Sequence, residues 1–196
     1  MNEECNMDSE KQDRSKLLIF VVGTSGSGKD SVMRETVAYL TENGVPSQIL
    51  KRVITRKPDK YEESNFLPVD EFLRRKNEFA LSWNIYDNWY GIPWVSINAA
   101  YENSSLLMIN VSRGVLYEAR RLFPSSLIIL VTVPKEIAKS RIKNRGREDH
   151  KGISKRLTRM SMDVDMPSPS KIVSNAGVLQ DTAKKLGEFL IREYNK

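Results

Sequence analysis

The sequence has few of the residues that cross-link a chain or anchor it in a membrane. Its 196 residues include one cysteine, Cys5, which excludes an intrachain disulfide framework and a multi-cysteine zinc site. On this ground we expect a reducing, cytoplasmic compartment. The longest apolar runs, Leu17 to Val22 and Leu127 to Val133, are far shorter than the roughly 20 residues of a membrane-spanning helix. We therefore expect no membrane partner.

Glycine and proline are also scarce, at 10 and 8 residues, whereas apolar residues make up 40% of the chain. These proportions exclude the collagen-like and wholly disordered classes and indicate a folded domain. The first ten residues are acidic and polar, without the basic start and apolar middle of a secretion signal. We predict a disordered tail over residues 1–15 and a single domain over residues 16–196.

Positive charge is concentrated in one segment. Residues 135–159 contain ten Lys/Arg against three Asp/Glu, which accounts for the whole net charge of +6. Such a segment attracts polyanions, either a nucleic-acid backbone or a small phosphate-dense ligand. No aromatic-interleaved basic strand or recognition helix accompanies this charge, so we expect no nucleic-acid partner.

Strand-like and helix-like segments alternate along the chain, which predicts an α/β fold with a central parallel sheet flanked by helices. The run Leu17 to Val22 is expected to be the central strand because it is apolar throughout. The alternation breaks at about residues 56–93, where we expect a small inserted lobe with an Asp70-capped helical turn and a hairpin turning at Asp87-Asn88. The other predicted strands are residues 48–55, 106–111, 127–133 and 171–174, and the predicted helices are residues 29–43, 113–123, 135–144 and 179–194.

A phosphate-binding loop is the strongest motif. Residues 23–29 fit the pattern G-x-x-x-x-G-K and lie after a predicted strand and before a predicted helix. Backbone N–H groups of such a loop converge on phosphate oxygens, and Lys29 would reach the β- and γ-phosphates and act in catalysis. The loop predicts a site for ATP, formed by Gly23, Thr24, Ser25, Gly26, Ser27, Gly28, Lys29, Asp30 and Ser31.

The residue after Lys29 departs from this pattern. It is Asp30, where a Ser or Thr hydroxyl usually binds Mg²⁺. A carboxylate beside a triphosphate is repelled unless a divalent cation bridges them, so we predict that Asp30 and Ser31 are Mg²⁺ ligands. The strand that ends at Asn110 favours this assignment, because it lacks a terminal acidic residue. The alternative is that Asp30 complements the helix dipole alone.

Several arginines of the basic segment are candidates for a phosphate clamp. Arg141, Arg145, Arg147 and Arg156 would place guanidinium groups at the end of one helix and the start of the next. Such groups can close over the transferring phosphate as a mobile lid, at about residues 145–155, and exclude water. We assign the first three to catalysis and Arg156 to substrate binding, and the alternative is a solvated basic helix.

Six motifs together resemble the guanylate-kinase superfamily and, within it, the ribose 1,5-bisphosphate phosphokinases. The loop continues as G-K-D-S, and the strand end Asn110 to Arg113 reads N-x-S-R, which are both marks of that family. The resemblance implies a P-loop kinase with an acceptor-binding lobe and a mobile lid. It also implies phosphoryl transfer from ATP to ribose 1,5-bisphosphate, giving 5-phosphoribosyl 1-diphosphate in phosphonate catabolism. The motifs are residues 23–31, 54–56, 80–83, 89–92, 110–113 and 145–148.

Guanylate kinase is the nearest alternative. Members of that family usually have F-L-E-W, whose carboxylate pairs with guanine N–H donors, whereas this chain has Ser82 before Trp83. They also have an acidic residue at the strand end that is Asn110 here, and a second arginine shortly after T-R-x-P, where Asp59 follows Pro58. Guanine donors left without partners would weaken binding strongly. Hydroxyl and amide groups suit a sugar better.

The same motifs predict the acceptor site. Arg56 follows a strand in a T-R-K-P turn and is expected to bind an acceptor phosphate, the alternative being a solvated charge. Trp83 and Tyr90 are either the lobe's own core or a ligand platform. Residues 174–177 resemble the family's adenine-side loop, which assigns Asn175 to ATP. The predicted acceptor residues are Arg56, Ser82, Trp83, Tyr90, Asn110, Ser112, Arg113 and Arg156.

A different class of function is a guanylate-kinase-like interaction module without catalysis. Loss of catalysis is usually accompanied by a damaged phosphate loop, but Gly23, Gly28 and Lys29 are intact in this chain. The predicted partners are therefore ATP, Mg²⁺ and a small phosphorylated sugar, and a homodimer is left open.

Overall fold

The computed structural model describes residues 16–56, 64–85, 87–144 and 165–196. The predicted tail, the predicted lid and the side chains of Arg145, Arg147 and Arg156 lie outside the described residues. Within them the chain forms nine strands. In chain order these are β1 (Leu17–Val22), β2 (Ser47–Ile49), β3 (Arg52–Ile54), β4 (Ser64–Phe66), β5 (Phe79–Ile85), β6 (Asn88–Pro93), β7 (Leu106–Asn110), β8 (Leu127–Thr132) and β9 (Lys171–Ser174).

Six α-helices connect these strands in the described part of the chain. Two short 3₁₀ turns, Lys76–Glu78 and Arg113–Val115, precede β5 and the fourth helix. The helices are α1 (Lys29–Glu42), α2 (Val69–Arg74), α3 (Trp94–Asn103), α4 (Leu116–Leu122), α5 (Lys135–Asn144) and α6 (Leu179–Tyr194).

The main sheet is parallel and has the strand order β2-β7-β1-β8-β9. The prediction of an α/β fold with β1 at the centre is confirmed. Alternate residues of β1 enter two different hydrophobic clusters, Ile19 and Val21 on one face and Phe20 and Val22 on the other, and all four are fully buried. A strand covered on both faces has to be apolar throughout, which is why this run carries no polar residue.

Helices cover the two faces of the main sheet. Apolar residues of α1 and α6 join Ile19 and Val21, whereas those of α3 and α4 join Phe20 and Val22. The helices α1 and α6 approach closely at Gly187, where an added Cβ would overlap the Tyr39 ring. Among the described residues, no helix is both long and apolar enough to cross a lipid bilayer.

A second, four-stranded sheet has the order β4-β3-β6-β5 and packs on α2. The predicted hairpin is confirmed as antiparallel β5 and β6, and Asp87 in the turn has a φ of 61°. The predicted strand over residues 48–55 is wrong, because the chain leaves the main sheet after β2 and enters the second sheet as β3. Both pieces are short and extended, Ser47–Ile49 and Arg52–Ile54, so the change of sheet leaves no mark in the periodicity.

The helical turn of this lobe also differs from its prediction. Pro68 stands at the N-cap of α2, and no side chain caps the helix there. Asp70 lies inside the first turn, where its charge complements the helix dipole. The sequence did not predict α3 or the short β4, which pairs in parallel with β3.

Candidate active site

The phosphate loop lies at the carboxyl edge of the main sheet, between β1 and α1. This is the place where open parallel sheets bind ligands. Gly28 caps α1 with a φ of 81°, a left-handed conformation that favours glycine. A Cβ at Gly28 would also overlap the Asn175 side-chain nitrogen. Glycine is therefore required here for conformation and for space.

Lys29 lies across the start of the loop. Its Nζ donates hydrogen bonds to the carbonyl oxygens of Gly23 at 3.0 Å and Thr24 at 3.1 Å. These bonds hold the ammonium group against the backbone that is expected to surround the phosphates. The role predicted for Lys29 in charge neutralisation stays a prediction.

The loop rests on a buried asparagine. Asn175 is 3% exposed, and its Nδ2 donates to the Ser27 carbonyl oxygen at 2.8 Å. Its backbone N–H donates to the Thr132 carbonyl oxygen at 2.8 Å, which ties the segment after β9 to the end of β8. The side chain of Asn175 therefore supports the loop from below, and the predicted contact with ATP stays a prediction.

Arg141 of α5 approaches the same region. Its Nη2 donates to the Asn175 carbonyl oxygen at 3.1 Å. Its Nη1 is buried and has no hydrogen-bond partner among the described residues, and it lies 3.5 Å from the position of a Cβ at Gly28. A buried guanidinium nitrogen without a partner is costly unless an anion completes the site. The predicted contact of Arg141 with phosphate stays a prediction.

Asp30 and Asn110 are hydrogen-bonded to each other. The Asn110 Nδ2 at the end of β7 donates to the Asp30 Oδ1 at 2.7 Å. No further hydrogen bond to the Asp30 carboxylate is found among the described residues. The structure thus places Asn110 beside the phosphate loop.

These residues fit Mg²⁺ better than a metal that requires a protein cage. Within the part of the chain that the structure describes, no three His, Cys, Asp or Glu side chains are clustered. Mg²⁺ is usually bound by one or two carboxylates together with substrate phosphates and water. Asp30 in the first turn of α1, with half-buried Ser31 beside it, matches that kind of donor set.

The second sheet separates two of the predicted acceptor residues. Trp83 is 7% exposed and stacks on Tyr90 at 5.6 Å between ring centroids. Ser82 pairs with Gly91, so its side chain lies on the opposite face of β5 from Trp83. Trp83 belongs to the hydrophobic cluster that contains Val111, which supports the interpretation of this ring as part of the core.

Sequence reasoning missed a basic residue in this lobe. The Arg52 guanidinium lies over the Tyr90 ring, 5.5 Å from its centroid. Arg56 follows the same strand, and the preceding Thr55 is fixed by hydrogen bonds with the Trp89 backbone at 2.9 and 3.1 Å. Arg52 and Ile54 are two residues apart on β3, so their side chains lie on the same face of the strand.

Ser112 and Arg113 follow Val111, just after β7 ends at Asn110, at the edge of the sheet that carries the phosphate loop. Ser112 Oγ accepts a hydrogen bond from the Gly114 N–H at 3.4 Å and begins the 3₁₀ turn. Both side chains are half-buried. The structure therefore brings these two predicted acceptor residues to the edge of the sheet where the loop lies.

Solved structures with a similar fold define the class of protein. Guanylate kinase from Anaplasma phagocytophilum superposes with a TM-score of 0.61 at 16% identity, over 92% of this chain and 87% of that one. A gluconokinase from Sinorhizobium meliloti gives 0.50 at 16% identity, over 93% and 96%. Together with the loop geometry, these likenesses define a P-loop kinase fold.

Sequence comparison identifies the family. No family model matches the chain. It is 40% identical over 153 residues to ribose 1,5-bisphosphate phosphokinase PhnN of Acidiphilium cryptum, which covers 78% of this chain and 81% of the relative. It is 35% identical over 177 residues to the protein of that name from Pseudomonas paraeruginosa, over 88% and 94%. The chain belongs to the ribose 1,5-bisphosphate phosphokinase family.

Proposed function

We propose that this protein transfers the γ-phosphoryl group of ATP to ribose 1,5-bisphosphate, giving 5-phosphoribosyl 1-diphosphate and ADP. The phosphate loop, with Lys29 held across it and Asp30 beside it, is the observation that carries the proposal. The family relationship supplies the acceptor. The proposed setting is phosphonate catabolism in the cytoplasm.

The reaction needs no general base from the protein. An oxygen of the 1-phosphate attacks the γ-phosphorus of ATP, and the bond from that phosphorus to the β,γ-bridging oxygen breaks. A phosphate monoester has its second pKa near 6, so the attacking oxygen is already ionised at neutral pH. Catalysis then depends on alignment of the two phosphates and on neutralisation of their charge.

Lys29 and Arg141 would neutralise charge on the donor side. Lys29 would exchange its two carbonyl partners for the β- and γ-phosphate oxygens. Arg141 would complete the hydrogen bonds of its buried Nη1 with phosphate, while its Nη2 remains on Asn175. Arg145 and Arg147 are proposed to close over the transferring group from the lid.

Asp30 would hold Mg²⁺ through Oδ2, with Ser31 beside it. When bound, Mg²⁺ would neutralise charge on the phosphates and orient them. The contribution of the chain is a carboxylate fixed in position by Asn110 before any metal arrives.

Residues outside the phosphate loop are proposed to bind the acceptor. Arg56, Arg113 and Arg156 are proposed as phosphate ligands, and Ser112 as a ligand of a sugar hydroxyl. Ser82 stands where guanylate kinases have a carboxylate, so guanine N–H donors would lack their partner there. For this reason GMP is proposed as a poor acceptor.

The proposal is tested by offering ribose 1,5-bisphosphate and GMP in parallel, with ATP and Mg²⁺. We expect formation of 5-phosphoribosyl 1-diphosphate with stoichiometric ADP, and a kcat/KM for GMP lower by about 10²-fold or more. Comparable or faster turnover of GMP would make the protein a guanylate kinase.

A pair of arginine variants tests the acceptor site. Arg56→Met should raise the KM for the acceptor phosphate while the KM for ATP stays unchanged. Arg74→Met, which replaces an exposed arginine on α2, is the matched control and should leave both values unchanged. An unchanged acceptor KM in Arg56→Met would make Arg56 a solvated charge.

A further inference from the structure

The ends of β7 and β1 bring two distant residues together. The strands are parallel neighbours with Val21 in register with Asn110, and the Val111 N–H donates to the Val21 carbonyl oxygen at 3.1 Å. The chain after β1 runs through the phosphate loop into α1. The first turn of α1 therefore faces the end of β7, and Asn110 meets Asp30 although 80 residues separate them.

Asp30 and Asn110 differ from the residues that usually stand at these two positions of a metal site. P-loop NTPases generally hold Mg²⁺ with a hydroxyl after the loop lysine and an acidic residue on a separate strand. Here the carboxylate lies after Lys29, and a neutral amide lies at the end of β7. One carboxylate is present in either arrangement, but it has moved from the strand to the helix.

The Asn110 amide fixes the direction of that carboxylate. A hydrogen bond of 2.7 Å to an ionised carboxylate is short and strong for an N–H donor. Because it occupies Oδ1, it leaves Oδ2 as the oxygen that a cation on the loop can reach. Partners of this kind are known to orient metal ligands and to affect metal affinity.

We propose that Asn110 is a positioning residue for Asp30 at the metal site, not a ligand of the acceptor sugar. This inference rests on the proposed function for the presence of Mg²⁺. It predicts that the two positions face the same cation, so that a carboxylate at position 110 can replace one lost at position 30.

The test measures metal binding directly and uses no acceptor. Mn²⁺ binding to the complex of the protein with ADP is followed by electron paramagnetic resonance, and ADP binding in EDTA by calorimetry. Asn110→Leu should weaken Mn²⁺ binding by about 10–100-fold, with metal-free ADP affinity unchanged. Asn98→Leu, which replaces an exposed asparagine on α3, is the matched control and should bind Mn²⁺ as the natural chain does.

A rescue variant tests the shared cation without relying on a leucine substitution. Asp30→Ser should lose Mn²⁺ affinity, and the double variant Asp30→Ser with Asn110→Asp should recover most of it. Unshifted Mn²⁺ binding in Asn110→Leu, or no recovery in the double variant, would overturn the inference. A raised acceptor KM with unshifted Mn²⁺ binding in Asn110→Leu would indicate that Asn110 binds the acceptor.

The results for metal binding can be distinguished from the result for the proposed kinase activity. If the natural chain binds Mn²⁺ with ADP and the variants behave as expected, the inference stands even where ribose 1,5-bisphosphate is not phosphorylated. If the sugar is phosphorylated and the Asn110 variants leave metal binding unchanged, the proposed function stands and the inference fails.

Discussion

Replacement of Asn175 by leucine should destabilise the phosphate loop, because it removes the hydrogen bond from Asn175 to the loop backbone. The side chain is 3% exposed, and the variant would leave the Ser27 carbonyl oxygen without its buried donor. An unpaired buried acceptor costs about 1–3 kcal/mol. For a chain of this size about 1 kcal/mol lowers the melting temperature by about 2–4 °C, so we expect a decrease of about 2–12 °C.

Any loss of nucleotide affinity in these variants should result from a distorted phosphate loop and not from a lost contact between Asn175 and the nucleotide. Asn175→Asp is the stricter variant, because a carboxylate would then face the Ser27 carbonyl oxygen and add negative charge beneath the phosphates. It should melt lower than Asn175→Leu and bind ADP more weakly. Asn195→Leu, at the exposed C-terminus, is the control for the substitution itself.

Thermal unfolding by circular dichroism and ADP titration on the same proteins distinguish a role of Asn175 in loop stability from a direct contact with the nucleotide. An unchanged melting temperature in Asn175→Leu, together with weaker ADP binding, would refute the reasoning. Asn175 would then act through the nucleotide, as its resemblance to an adenine-side loop implies.

Three further predictions concern other parts of the molecule. Gly187→Ala should lower the unfolding free energy by about 1–3 kcal/mol in denaturant titrations, because the new Cβ would overlap the Tyr39 ring. Arg145→Lys and Arg147→Lys keep the charge but lose the bidentate fork, so kcat should fall more than nucleotide affinity in steady-state assays. Burial raises the pKa of Tyr101 to about 12, so the unfolding free energy should fall as pH rises from about 10 toward 12, and Tyr101→Phe should remove this decrease.

Each of these has a control or a contrary result. Gly177→Ala, at a glycine whose added Cβ would meet nothing within 4 Å, should leave stability nearly unchanged. A Gly187→Ala protein as stable as the natural chain would contradict the packing between α1 and α6. Unaltered kcat in both lid variants would make those arginines solvated surface. A Tyr101→Phe protein with the same alkaline decrease would assign that decrease to other groups.

The sequence by itself determined the features that depend on neighbouring residues. The phosphate loop was identifiable because its glycines and Lys29 lie within one short segment, residues 23–29, and their spacing sets the backbone geometry. Helices α5 and α6 and strand β9 match their predicted bounds, and β1 lies at the centre of the sheet as its apolar run indicated. Local periodicity and backbone preference are enough for such elements.

Tertiary structure decided which distant residues meet. Residues 48–55 were predicted as one strand, yet they divide between two sheets, because partner strands rather than periodicity determine where a strand ends. Asn110 was assigned to the acceptor but contacts Asp30, 80 residues away, and Asn175 supports Ser27 across 148 residues. Neither pairing leaves a local pattern, since each depends on which strand ends lie side by side once the sheet has formed.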